Sequence, residues 1–448
     1  LSLKSLDVIK FKKEQISKIR RDCSLLNCKL NRWFVFAGAW IIIFCVAASA
    51  IFSVFSIPLS KLHGWSLAEV NLSFSIYQLF LGIVGILGGR YADKKGAVSL
   101  MYGGGFLYGA GWFLTGTSDS IPMLYLTYGV MAGAGAGAVY NATLVTALRW
   151  FPDMRGKISG CLLAAAAFGP FVLAPLTNTL FSRIGTDVAG VATTFHILGL
   201  LFFCCIAAVG WLMKLAPADY PSQFAANAPG KKAQPSESAV FAEQNYEWTE
   251  MIKTPLFWIL FFTFMCAGTA GTMMISSTSI IAQTQIGLTP AIGAIAVSIS
   301  TISNFTGRLS FGVLIDRLGD FKALLISLSA SAVALLLLGT AEAPTLFFIC
   351  VVILGFAFGA PLVVFPPITS RKFGSKNFGI NYGIMFLGFT CANYVGPKIA
   401  AAFKDATGSF HGAYFAASAI AVLGALIVLC LLRYEKNHQS LQYKGETV

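Results

Sequence analysis

The chain has 448 residues, of which 56% are hydrophobic and only 11% charged. That much apolar surface has no use in a soluble domain of this length, so a globular enzyme is excluded and an all-α membrane protein with many crossings is indicated. The net charge of +13 calls for no nucleic-acid partner, because its placement follows the membrane topology described next.

Residues 1–32 form a basic tail carrying Lys4, Lys10, Lys12, Lys13, Lys18, Arg20, Arg21, Lys29 and Arg32. It suits contact with an anionic leaflet, and it lacks the apolar h-region of a cleaved signal. Apolar runs long enough to span a bilayer begin near positions 33, 69, 98, 121, 157, 193, 256, 290, 321, 344, 377 and 411, which predicts twelve transmembrane helices. They fall into a six-helix bundle over 33–215, a linker over 216–254, a second six-helix bundle over 255–433 and a tail over 434–448. The linker is polar, with Pro217, Pro221, Pro229, Gly230 and Pro235, and reads as a flexible tether. Of the 32 Lys and Arg, four (Lys61, Arg183, Lys398, Lys404) fall on one side, Arg308 lies within the membrane, and 27 fall on the other side. This asymmetry predicts cytoplasmic termini in a plasma or inner membrane.

The second span ends in Gly89-Arg90-Tyr91-Ala92-Asp93-Lys94-Lys95-Gly96 and the eighth in Gly312-Val313-Leu314-Ile315-Asp316-Arg317-Leu318-Gly319. Both read G-x-x-x-D-[KR]-x-G, with the aspartates 223 positions apart (316 − 93). Arg149-Trp150-Phe151 and Arg371-Lys372-Phe373 repeat at 222 (371 − 149). Two echoes at half the chain length indicate a duplicated six-helix unit, hence a substrate site near the midplane between halves that rock about it. Gly89, Asp93, Lys94 and Gly96, with Gly312, Asp316, Arg317 and Gly319, are expected to form a conformational latch. The glycines permit tight turns, and each aspartate can pair with a cation or a helix N-terminus. Pro170, Pro175, Pro361, Pro366 and Pro367 predict kinked helices whose freed carbonyls need new donors.

Arg308 is the residue out of place. It precedes Asp316 by eight residues, about 12 Å along a helix, which puts a permanent cation near the bilayer midplane. Even insertion scales price that at about 2.5–3.5 kcal/mol, so a functional site facing a watery cavity is expected. A brace to backbone carbonyls of a neighbouring helix is the alternative. Glu69, Asp119, Asp187 and Glu342 all sit near span ends, so a buried carboxylate as proton carrier is poorly supported. His196, the only histidine in an apolar span, reads as a hydrogen-bonded packing residue rather than a proton relay. The ten cysteines show no zinc spacing, and no metal site, disulfide framework or cofactor is expected. No H-E-x-x-H or buried carboxylate pair supports an intramembrane enzyme.

The paired turns resemble the signature loop of the major facilitator superfamily, which implies that fold for the whole chain. Asn31-Arg32-Trp33-Phe34, Tyr140 running into Arg149-Trp150-Phe151-Pro152-Asp153-Met154-Arg155-Gly156, Thr254-Pro255-Leu256-Phe257-Trp258, Arg308 before Leu309-Ser310-Phe311-Gly312, and Asn381-Tyr382-Gly383 together resemble the oxalate:formate antiporter family. There a span-eight arginine and a span-eleven lysine contact a small dicarboxylate. Arg308 matches the first; the lysine position holds Phe389. One arginine neutralises one carboxylate, and a second buried negative charge would go uncompensated at a cost of several kcal/mol. A monocarboxylate such as lactate, pyruvate or formate is therefore expected.

The resemblance also implies that Tyr140 keeps a substrate-facing tyrosine, Asn71 replaces a span-two glutamine, and Phe358 and Leu362 replace a span-ten tryptophan and tyrosine. Animal monocarboxylate transporters are similar in the span-eight arginine but carry an acid four residues earlier, where this chain has Asn304. An asparagine there can steer the guanidinium but cannot carry a proton. The expectation is a monomeric transporter of small carboxylates, with a proton or counter-anion as co-substrate. An oxalate/formate exchanger and a non-transporting carboxylate sensor are the rivals.

Overall fold

The computed structural model describes residues 31–216 and 245–445. The expected leaflet-binding tail and most of the tether lie outside the described residues. Twelve long helices account for nearly everything else, with no strand among the described residues. They are α1 (Arg32–His63), α2 (Leu67–Lys95), α3 (Val98–Thr115), α4 (Ile121–Trp150), α5 (Arg155–Ile184) and α6 (Val188–Gly210), then α7 (Pro255–Thr284), α8 (Pro290–Leu318), α9 (Asp320–Gly339), α10 (Pro344–Phe373), α11 (Phe378–Thr407) and α12 (His411–Gly445). The starts fall within a few residues of the apolar runs. Nine of the twelve are apolar enough to cross a membrane by composition alone; α3, diluted by glycine, and α8 and α11, diluted by polar residues, are not.

Local chemistry sets the starts. Asn31 caps α1, Thr254 caps α7 and Thr289 caps α8, each side chain accepting from a backbone N–H two or three residues on, and Pro255 and Pro290 take the first helical position. Ser66 and Glu69 close a reciprocal capping box at the start of α2. At the ends of α2 and α8, Gly96 and Gly319 have φ of +87° and +90°, a region that L side chains rarely enter, so these two motif positions require glycine.

Two of the internal prolines free carbonyls that neighbouring helices take. Pro361 cannot donate to Ala357 O, which accepts instead from Ser327 Oγ of α9 at 2.9 Å. Pro367 releases Val363 O, which accepts from Ser159 Oγ of α5 at 3.0 Å. Polar side chains thus stitch a proline-rich α10 to both sides.

Helices α1–α6 pack as one bundle and α7–α12 as another; the two meet where α5 faces α8 and α10, and where α2 and α4 face α11. The linker ends at Thr254 as expected, but two features of the linker and the tail differ from expectation. The last stretch of the linker is ordered: Tyr246 N donates to Phe373 O at 3.1 Å, and a single-turn helix, Trp248–Met251, leads into α7. Helix α12 continues to Gly445, beyond the boundary placed at 433.

Candidate functional site

Arg308 lies in α8 on the seam between the bundles and is 8% exposed. Its Nε donates to Asn304 Oδ1, one turn earlier, at 2.8 Å. Its Nη1 donates to the backbone carbonyl of Leu163, in α5 of the other bundle, at 2.5 Å. The interhelical brace is therefore present, and it crosses the two halves. Nη2 is left for another acceptor. Among the described residues no carboxylate pairs with this guanidinium, so its charge is held by neutral dipoles.

Helix α10 reaches the arginine through Gly359, where a Cβ would lie 2.5 Å from Arg308 N. That contact brings the Phe358–Leu362 turn beside the site, with Phe358 6% and Leu362 7% exposed. Phe358 stacks on Phe389 of α11 at 5.9 Å, and Phe389 packs on Phe386 at 5.6 Å. Tyr140 of α4 completes the chain from the other half, 6.5 Å from Phe386 and within electrostatic reach of Arg308. The structure thus brings together Arg308, Asn304, Tyr140, Phe358, Leu362 and Phe389.

It does not bring Asn71 to them. Asn71 is the fifth residue of α2, exposed, and its Oδ1 accepts from Ser56 Oγ at 3.0 Å. It precedes Asp93 by 22 residues, about 33 Å of helix against about 12 Å from Asp316 to Arg308. The side chain belongs to the far mouth of the bundle.

Sequence reasoning also missed what supports the aromatic wall. Phe264 of α7 stacks on Phe365 at 3.8 Å and packs on Phe389 at 5.6 Å. Gly271 accommodates the Phe358 ring against the α7 backbone, and Gly268 does the same for Phe389, whose ring carbon would lie 3.1 Å from a Cβ. A phenylalanine in a phenylalanine-rich span carries no sequence signal for this role. Asn141 is another omission: buried, it donates to Gly85 O in its own half at 2.7 Å and to Gly379 O in the other at 3.0 Å. Its signal was a lone amide in a Gly/Ala-rich helix. His196 stacks on Phe113 at 4.2 Å, but its Nε2 has no hydrogen-bond partner among the described residues, so it packs without the bond expected of it.

The two motif turns sit at the end of the bundles that carries Arg32. Asp93 accepts from the N–H groups of Gly379 (3.0 Å) and Ile380 (3.1 Å), the first turn of α11. Asp316 accepts from those of Gly156 (3.0 Å) and Lys157 (2.9 Å), the first turn of α5. Each carboxylate meets the positive end of a helix dipole in the opposite bundle. The receiving residues repeat at 223 as well (379 − 156 and 380 − 157). Arg149 adds an ion pair to Asp93 at 2.6 Å and donates to Ser375 O and Lys376 O across the seam. Its sequence echo Arg371 pairs with Asp320 instead. Gly89 and Gly312 lie at the helix crossings beside these bonds, whereas Lys94 and Arg317 are exposed. The hydrogen bonds named here that join the halves all lie between the motif end and the level of Arg308.

The family model for the Major Facilitator Superfamily matches residues 39–339 and 271–447. The chain belongs to the major facilitator superfamily. Within it, the chain is 31% identical over 365 residues to the MFS-type transporter YhjX of Escherichia coli (strain K12), covering 81% of this chain and 86% of that one. It is 30% identical over 377 residues to the oxalate:formate antiporter of Oxalobacter formigenes, covering 83% and 85%. Monocarboxylate transporter 12 of Rattus norvegicus is more distant, at 20% identity over 85% of this chain and 81% of that one. Among solved structures, the proton:xylose symporter XylE superposes with a TM-score of 0.68 at 15% identity, over 89% of this chain and 95% of that one. As a major facilitator protein the chain is a multi-pass membrane transporter.

Several residues that carried the resemblance turn out to clamp this fold. Arg32 pairs with Asp153 at 3.0 Å, and Trp33 packs on Phe151 at 5.3 Å. Trp150 Nε1 donates to Lys214 O and Trp258 Nε1 to Ile252 O. They fasten loops at the motif end and stand apart from the arginine.

Proposed function

We propose that the protein carries small monocarboxylates of the lactate, pyruvate or formate type by alternating access, as a monomer, with both termini and the motif end on the cytoplasmic side of a plasma or inner membrane. The observation that carries this reading is Arg308: a buried cation on the seam between the halves, with no carboxylate partner among the described residues and with Nη2 free to take one.

A substrate carboxylate would bind that edge and accept from Tyr140, while Phe358, Leu362 and Phe389 wall off its short tail. Neutralising the guanidinium lowers the cost of closing a drier cavity around it. Occupancy would in this way license the step that releases the Leu163 carbonyl and the Asp93 and Asp316 latches. A neutral Phe389 where the antiporter family carries lysine favours one negative charge over two. With no acid paired to Arg308 among the described residues, a proton would travel on the substrate, or a counter-anion would return.

Exchange of oxalate for formate is the second reading, supported by the 30% identity to the antiporter of Oxalobacter formigenes. Proteoliposomes loaded with unlabelled L-lactate, pyruvate, formate or oxalate, given labelled L-lactate with and without a proton gradient, separate the two. Monocarboxylate-driven uptake that Arg308→Ala abolishes supports the first; exchange of oxalate alone overturns it.

A further inference from the structure

Tyr382 is the part of the Asn381-Tyr382-Gly383 motif of α11 that substrate binding and the latch leave unused. Its neighbours have structural reasons: Asn381 Nδ2 donates to Tyr246 O at 3.1 Å, and Gly383 lets α2 approach, since a Cβ there would lie 3.0 Å from Ile86 Cα. The Tyr382 ring packs between Phe378 and Phe386, 5.8 and 6.0 Å away, and the residue is 1% exposed. A phenylalanine would fill that space equally well. The hydroxyl is buried and has no hydrogen-bond partner among the described residues, an unfavourable state for a polar group.

The place of this hydroxyl matters. Tyr140 lies within electrostatic reach of Arg308 and also of Tyr382, and both tyrosine rings pack against Phe386. One tyrosine comes from α4 and the other from α11, so rings from opposite halves pack on one phenylalanine, which in turn packs on Phe389 of the aromatic wall at 5.6 Å. The adjoining Asn141 approaches α11 at Gly379 and Gly383. Its Oδ1 is a second buried oxygen without a partner. A polar layer therefore continues from Arg308 toward the motif end.

We infer that Tyr382 is a specificity-determining residue whose hydroxyl bonds the oxygen on the carbon next to the substrate carboxylate. The carrier then selects 2-hydroxy and 2-oxo acids over the plain acid of the same size. The inference rests on the carboxylate reading of Arg308. A phenol both donates and accepts, so it serves a hydroxyl or a keto oxygen. A site built to bond a substrate oxygen discriminates against the analogue lacking it, because the protein's own group is then left unpaired.

The test compares L-lactate with propionate, which differ by that one oxygen, as competitors of labelled L-lactate exchange in proteoliposomes of wild type, Tyr382→Phe and Arg308→Ala. Wild type is expected to prefer lactate by about tenfold, the loss of one hydrogen bond. Tyr382→Phe is expected to weaken lactate to within about twofold of propionate while leaving propionate unchanged, and Arg308→Ala to lose both. Tyr382→Phe without substrate should melt no lower than wild type, since the hydroxyl it loses bonds nothing. An unchanged lactate-to-propionate ratio in Tyr382→Phe, or a clear fall in its substrate-free melting temperature, overturns the role of Tyr382 while wild-type flux keeps the carboxylate reading intact. A wild type that moves no carboxylate overturns both.

Discussion

Gly89 of α2 and Gly379 of α11 meet backbone to backbone, so that a Cβ on either would overlap the carbonyl of the other. The pseudo-equivalent crossing of α8 with α5 is nearly as tight: a Cβ on Gly160 would lie 2.6 Å from Arg308 O and 2.9 Å from Gly312 Cα. Both crossings join one half to the other, and the first lies beside the bonds of Asp93 to Gly379 and Ile380.

Adding a methyl group at such a crossing should wedge the motif end apart. Gly379→Ala is expected to cost the closed arrangement about 1–3 kcal/mol, as overpacking does, which lowers its population relative to the open one roughly 5- to 150-fold. Alkylation of a reporter Ser370→Cys, 6% exposed at this end, should speed up when Gly379→Ala is added. Equal labelling rates would show that the crossing does not hold the end shut.

The two latches should not be equal. The Asp93 side chain is 4% exposed and its Arg149 partner 15%, so Asp93→Asn strands a half-buried cation and sets an amide N–H against backbone donors. A loss of about 3 kcal/mol is expected. Asp316 is an exposed residue, and Asp316→Asn should cost about 1 kcal/mol or less. Thermal melts of the two variants in detergent check the order; a larger fall for Asp316→Asn would refute it.

Much of this was legible in the chain. Hydropathy placed the helix starts because twelve separate apolar runs are punctuated by capping residues and prolines. The 223-residue repeat picked out both motif carboxylates, for which a cation or a helix N-terminus was expected; Asp93 meets both and Asp316 a helix N-terminus. Their receivers at Gly156, Lys157, Gly379 and Ile380 were not legible, because a backbone N–H has no side-chain signature. The Arg308 site divides in the same way. A lone cation in a long apolar run stands out, but its Leu163 partner is a carbonyl. Asn71 was misplaced because an alignment column gives no depth along a helix, whereas counting residues from Asp93 does.

Asn304 offers a way to install proton dependence. Its Oδ1 accepts from Arg308 Nε at 2.8 Å, so an Asn304→Asp carboxylate would meet the guanidinium and compete with substrate. Binding would then require that the new acid be protonated, and exchange should fall as pH rises. At neutral pH the loss is expected to be about 10- to 100-fold, the worth of a charged hydrogen bond. Initial rates of labelled L-lactate exchange between pH 5 and 8 (about the range over which such a slope is resolved), with equal pH on both faces, give the comparison. Parallel profiles for variant and wild type would defeat the argument.

Phe389 is where charge selectivity can be reversed. Its ring is 7% exposed and packs on Phe264, Phe358 and Phe386 at 5.6–5.9 Å. Phe389→Lys would replace that packing with an ammonium in a dry aromatic wall, costing several kcal/mol while it stays unpaired. The substrate-free variant should therefore melt well below wild type. A dianion would meet two cations, Arg308 on α8 and the new lysine on α11, and recover much of that cost. Oxalate is expected to raise the melting temperature of Phe389→Lys strongly and that of wild type little, while lactate exchange declines in the variant. Equal oxalate shifts in the two proteins would mean that wild type already holds a second cation for the dianion, and the single-arginine site would have to be given up.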